Sequence, residues 1–174
     1  MSDNRIDKHN YYLNIAATAS ERSTCLKRKY GAVIVKNDEI ISTGYNGAPR
    51  GRRNCNEIGT CLRIEKNIPS GQRYEICRSV HAEMNAIISA SRDKMIGSTL
   101  YLSGYENDNS ITKNAEPCSI CKRLIINAGI EKVIVRCSEK RYKIIYVQEF
   151  IDHDDSIEDD KYGYGLNYIK VSEW

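Results

Sequence analysis

His81-Ala82-Glu83-Met84-Asn85-Ala86-Ile87 and Pro117-Cys118-Ser119-Ile120-Cys121 are the two stretches on which the reading of this chain turns. Each is predicted to open a helix. The first runs from about His81 to Ser91, with Met84, Ala86, Ile87, Ile88 and Ala90 supplying an apolar surface. The second runs from Cys118 to Ala128 and is stopped by Gly129 as a C-terminal cap. Working outward, the runs from Gly31 to Val35 and from Ile40 to Tyr45 flank Lys36-Asn37-Asp38-Glu39, which predicts a β-hairpin. Asp7 to Ser23 reads as an amphipathic first helix, Leu100 to Ser103 as a short strand and Lys132 to Arg136 as a buried one. The order strand, helix, strand, helix, strand predicts parallel crossover units beside an antiparallel hairpin, an α/β fold.

The connecting segments are less periodic. Asn46 to Arg78 reads as a long loop rich in Gly, Arg, Asn and Cys, and such a loop is ordinarily functional or tied down. Gly104 to Glu116 reads as a polar loop. Beyond Glu139, Ile144 to Ile151 fits either a strand or a helix, Asp152 to Asp160 an acidic loop, and Leu166 to Val171 an edge strand.

Composition bounds the function. The 174 residues suit one compact domain, and a 41% hydrophobic content can build a core without disulfides. The formal charge is +3 with basic residues scattered, so a small anionic ligand is favoured over a nucleic acid polymer. No signal peptide or membrane-spanning run is visible, which points to the cytoplasm. Seven cysteines in a reducing compartment call for metal ligation before disulfides.

Cys118 and Cys121 on one helical turn, with His81 on a neighbouring helix, make three ligands for a zinc ion and leave a fourth position for water. Zinc brings the pKa of such a water to about 7. Glu83, two residues after the histidine, is suited to proton transfer rather than ligation. Alone, a CxxC also serves structural zinc knuckles and redox pairs, and an HxE means little; the two in this order are far more specific. Together they match the general signature of zinc-dependent nucleobase deaminases.

On these residues the chain resembles the cytidine and deoxycytidylate deaminase family, most closely the dCMP deaminases. Tyr30-Gly31-Ala32-Val33-Ile34-Val35 and Ser42-Thr43-Gly44-Tyr45-Asn46-Gly47-Ala48-Pro49-Arg50-Gly51 add to the likeness, which is strongest over residues 25–136; the remainder, 139–174, reads as a C-terminal extension of a single deaminase domain. The resemblance implies a three-layer sandwich, with a mixed five-stranded sheet and helices on both faces. It implies hydrolysis of dCMP to dUMP and ammonia, zinc-bound hydroxide attacking C4 of cytosine while Glu83 shuttles protons. It implies that Asn46 bonds the sugar 3′-hydroxyl and that the backbone at Ala82 binds the cytosine carbonyl. Asn46 also sits in a good turn sequence, where Asn needs no ligand. A homo-oligomer, often a hexamer, with dCTP activation, dTTP inhibition and Mg2+ accompanying the regulatory nucleotide is implied in the same way. The Gly104–Glu116 loop departs from the family spacing, which expects about two residues there.

Cys25, Cys55, Cys61 and Cys77 flank or sit inside the long loop. Some dCMP deaminases hold this region with a second, structural zinc, and a four-cysteine site here would close the loop; four unrelated buried thiols are the alternative. Cys137 reads as a small buried residue at a strand end. Arg50 and Arg53 are candidates for a phosphate contact, against the plain alternative of a solvated surface. Competing functions are deamination of CMP, dCTP or a tRNA base, and a non-enzymatic zinc-binding module. Glu83 argues against the last, because a structural metal site has no use for it.

Overall fold

The computed structural model describes residues 5–113 and 115–153. Helix α1 (Lys8–Ser20) is capped by the Asp7 carboxylate, which accepts a hydrogen bond from the Asn10 amide at 3.0 Å. Strands β1 (Arg28–Lys36) and β2 (Glu39–Tyr45) form the predicted hairpin. Its two turn residues, Asn37 and Asp38, both take positive φ, the conformation that short polar side chains tolerate best.

Between β2 and the next long element lie the short helices α2 (Cys55–Ile58) and α3 (Leu62–Glu65) and a single 3-10 turn at Tyr74–Ile76. Helix α4 (Ala82–Ile88), the one-turn α5 (Arg92–Met95), β3 (Thr99–Glu106), α6 (Ser119–Ala128), β4 (Lys132–Arg136), β5 (Tyr142–Tyr146) and α7 (Val147–Asp152) follow. The sheet order is β2-β1-β3-β4-β5, with β3 and β4 the parallel pair and the other neighbours antiparallel. The mixed five-stranded sheet expected from the sequence is therefore present.

Alternation along β1 sorts two cores. Val33 and Val35 face α1 and pack with Tyr12, Leu13, Ala16, Tyr101 and Ile134. Ala32 and Ile34 face the other side and join Ala82, Ala86, Leu100, Leu102, Ile125 and Val133 beneath α4 and α6. Two glycines let the helices lie flush. A Cβ at Gly31 would stand 1.9 Å from the Ala16 carbonyl oxygen, and one at Gly44 would stand 2.2 Å from the Ala82 carbonyl oxygen. The Ser42 hydroxyl then donates to the Ala86 carbonyl at 2.7 Å and the Asn85 amide to the Tyr45 carbonyl at 2.7 Å, pinning α4 to β2.

Three sequence expectations change. The Gly104–Glu116 stretch is not an open loop: β3 runs on to Glu106, turns at Asn107–Asn109, and folds back so that Tyr105 bridges Ile111 and Ala115 enters the core. Backbone hydrogen bonds hold that return, Glu106 N–H to the Ser110 carbonyl and Thr112 N–H to the Gly104 carbonyl, both at 2.9 Å. Cys137 is exposed rather than buried, because it starts the turn in which its amide donates to the Arg141 carbonyl at 2.9 Å. Ile144 to Ile151, which fitted either a strand or a helix, is divided between the two: it completes β5 and continues as α7. The acidic loop beyond His153 and the edge strand at Leu166 to Val171 lie outside the described residues. No helix among those described is long and apolar enough to cross a membrane.

Gly44→Ala is expected to destabilise the fold by about 3 kcal/mol, because a methyl must displace the α4 backbone rather than a flexible side chain. Equilibrium urea unfolding measures it; a change within about 0.5 kcal/mol of wild type refutes the flush packing.

Candidate active site

His81 and Cys118 occupy the N-cap positions of α4 and α6, and neither side chain caps its own helix. They turn toward each other instead. The Cys118 and Cys121 sulfurs lie 3.5 Å and 3.4 Å from His81 Nδ1. Among the described residues, these three are the group whose metal-ligating atoms all lie within 4.8 Å of one another. Glu83, on the first turn of α4, is 5% exposed and hydrogen-bonds Cys121.

The electrostatics fit a divalent cation. The hydrogen bond shared with Cys121 brings the Cys118 thiol down to about 4, against the opposing effect of burial. That same bond, then burial and the Glu83 charge, pushes Cys121 far upward. Two sulfurs this close share one proton unless a cation neutralises them, so the donor set is that of a soft dication such as zinc. Burial disfavours the charged ring of His81, but the Cys118 hydrogen bond and the Glu83 charge hold its pKa above the ordinary value. Burial raises the Glu83 carboxyl, and His81 opposes the shift.

An open cavity lies over this group. Asn46, Ala82 and Glu83 line it, together with His81 and Cys118. Asn46 is committed to β1: its amide oxygen accepts from the Tyr30 N–H at 2.8 Å and its amide nitrogen donates to the Arg28 carbonyl at 2.9 Å. The turn reading of Asn46 is thus part of the geometry, and its remaining donor and lone pair are what a ligand would meet. Arg50 and Arg53 are exposed and do not line the cavity; the Arg53 guanidinium donates to the Glu57 carbonyl at 3.3 Å. Lys27, Arg28 and Arg63 line it instead.

The chain between Gly47 and Val80 forms the cavity's outer wall. Its two ends are bonded to each other, Gly47 N–H to Val80 carbonyl at 3.1 Å and Val80 N–H to Gly47 carbonyl at 2.8 Å. Tyr74 stands edge-on to His81 with ring centroids 4.8 Å apart, and Arg63 lies over Tyr74 at 4.5 Å. Neither Arg63 nor Tyr74 carries a sequence signal, since no periodicity marks this segment. Cys55 is buried, and its thiol pKa is raised by burial and then by Cys25, Cys61 and Cys77 close by. The four are neighbours, more loosely grouped than the His81 set.

The family model for the cytidine and deoxycytidylate deaminase zinc-binding region matches residues 6–137. The chain is 39% identical over 135 residues to the deoxycytidylate deaminase of Mycobacterium phage D29, covering 75% of this chain and 94% of that one. It is 35% identical over 128 residues to the Schizosaccharomyces pombe deoxycytidylate deaminase, covering 74% of this chain but only 36% of the longer yeast protein. Among solved structures, the dCMP deaminase of cyanophage S-TIM5 in complex with dCMP and dUMP is 26% identical with a TM-score of 0.51, over 77% of this chain and 85% of that one.

His81→Ala is expected to lose about one zinc per chain while keeping the wild-type far-UV circular dichroism spectrum. Elemental analysis measures the metal, and an unchanged zinc content overturns the assignment of this ligand set.

Proposed function

Because the chain belongs to the cytidine and deoxycytidylate deaminase family, we propose that it hydrolyses dCMP to dUMP and ammonia. The observation that carries the reading is Glu83, a buried carboxyl beside the His81-Cys118-Cys121 group and on the wall of the same cavity. A closed structural metal site has no need of it. Held by those three ligands, zinc supplies a Lewis acid that makes water acidic near neutral pH.

The chain's own residues do the rest. Glu83 accepts a proton from the attacking water and delivers protons to ring N3 and to the departing amine. Its burial keeps bulk water from competing for those protons. The Ala82 N–H binds the cytosine carbonyl, and Asn46, fixed through Tyr30 and Arg28, bonds the sugar 3′-hydroxyl. What supports this pair is their position on the cavity wall beside Glu83.

Cys25, Cys55, Cys61 and Cys77 hold a second, structural zinc in this reading. Its support is that the other three thiols crowd the buried Cys55 within a segment that has little apolar core of its own. The seven free thiols suit a reducing, cytoplasmic compartment. Assembly into a homo-oligomer is part of the proposal, supported by the exposed apolar side chains Ile88, Ile96 and Leu124. Regulation by dCTP and dTTP with Mg2+ rests on the family likeness alone.

Ammonia release from dCMP, compared with CMP, dCTP and deoxycytidine, tests the substrate. Glu83→Gln is expected to lower dCMP turnover by about 10^3-fold with zinc retained; retained turnover refutes the role of Glu83. For the second metal, wild type is expected to carry about two zinc ions per chain, falling to about one in Cys55→Ser with a lower melting temperature. A single zinc in wild type overturns that site.

A further inference from the structure

The backbone places His81 at the start of α4, but it does not set the plane of the imidazole ring. The torsion that turns a histidine ring about its Cβ has only a broad, shallow preference. A histidine that serves as a metal ligand therefore needs an outside constraint. The common one is a hydrogen bond from its second ring nitrogen to a carboxylate or carbonyl. Here the ring's polar contacts among the described residues are both at Nδ1, 3.5 Å from the Cys118 sulfur and 3.4 Å from that of Cys121. What meets the ring itself is Tyr74, with centroids 4.8 Å apart and planes crossing at 79°. Such edge-on pairs are favourable because the positive edge of one ring meets the negative face of the other.

Tyr74 is itself locked. Arg63, 7% exposed, holds its guanidinium 4.5 Å from the Tyr74 centroid and donates through Nη2 to the Pro69 and Gln72 carbonyls, both at 2.8 Å. The Tyr74 hydroxyl accepts the Gly71 amide at 3.3 Å. The turn from Pro69 to Tyr74 is thus wound around one cation and one aromatic ring. Arg63 is not an isolated charge in this unit, because Glu75, ion-paired with Arg73, is close enough to act on it.

We propose that Tyr74, clamped by Arg63, is the positioning residue for His81: it fixes the imidazole plane so that Nδ1 faces both sulfurs before a metal arrives. The inference rests on the reading of His81, Cys118 and Cys121 as zinc ligands and goes beyond it. A ring ordered in advance loses less freedom when it takes the ion, so the effect falls on metal affinity. The aromatic ring of Tyr74 carries this role and the hydroxyl does not, which separates it from a general bracing of the wall.

The chain has three histidines, so the ring-nitrogen resonances of isotope-labelled protein resolve His81 and report on its metal alone, whatever Cys25, Cys55, Cys61 and Cys77 bind. Zinc-loaded wild type, Tyr74→Phe and Tyr74→Leu are titrated with a competing chelator while the His81 Nδ1 signal is followed. Tyr74→Leu is expected to weaken zinc at His81 by about 30-fold, and Tyr74→Phe by less than about 3-fold. Equal affinity in all three proteins overturns the proposal. Equal loss in the two variants also overturns it, since the wall would then act only as a brace. If Tyr74→Leu does not fold, wild type decides: nuclear Overhauser contacts between the Tyr74 and His81 rings are expected in the zinc-loaded protein, and their absence overturns the pairing. Wild-type dCMP turnover is measured in parallel. A His81 signal that zinc does not shift overturns the ligand set and the proposal with it. Zinc bound without turnover counts against the deaminase reading, whereas zinc and turnover with unchanged affinity in Tyr74→Leu count against Tyr74 alone.

Discussion

Two helices point their N-terminal ends at one spot, and almost everything else in the molecule serves to keep them there. His81 and Cys118 stand at N-cap positions, where a polar side chain normally bonds its own helix. Here both are diverted across the gap, and the ends are held by backbone contact with the sheet instead. On the α4 side the absence of a side chain at Gly44 sets the distance, while Ser42 and Asn85 set the height along the strand. On the α6 side the parallel crossover from β3 to β4 fixes the axis, and Ala115 and Ile125 anchor it in the core. The amide dipoles of α6 favour ionised sulfur at its start, so the placement and the chemistry reinforce one another.

The sheet supplies only half of the cavity. Its inner half comes from β1 and the first turn of α4, where Tyr30, Asn46 and Glu83 are positioned by regular structure. Gly104 leaves room for the Tyr30 ring, since a Cβ there would stand 2.5 Å from that ring. The outer half comes from the segment between Gly47 and Val80, which has little hydrophobic core and is held largely by backbone hydrogen bonds. The candidate metal-ligating group and Glu83 are thus mounted on regular structure, and the facing wall of the cavity on irregular chain.

How much of this was legible follows the same division. The hairpin, the two ligand-bearing helices and β4 were readable because each combines a periodic apolar pattern with a local stop signal such as Asn37-Asp38 or Gly129. The candidate metal-ligating trio and Glu83 were readable because Cys118 and Cys121 share one helical turn and the two motifs together form a recognised signature. The stacking of Arg63 on Tyr74 and of Tyr74 against His81 was not readable, because it joins residues far apart in an aperiodic segment. Arg50 and Arg53 drew attention by being close to Asn46 in sequence, yet the chain carries them to solvent. The return of Gly104 to Glu116 was hidden because its three apolar residues, Tyr105, Ile111 and Ala115, are scattered among polar ones without periodicity.

The short bridge between Gly47 and Val80 closes the outer wall at its base. By joining the two ends of the outer wall, it makes that wall a nearly closed ring of chain appended to the sheet. A ring of chain fixed at its base can differ in length and composition without disturbing the register of the strands it hangs from, so the outer wall is the part of the cavity most open to variation.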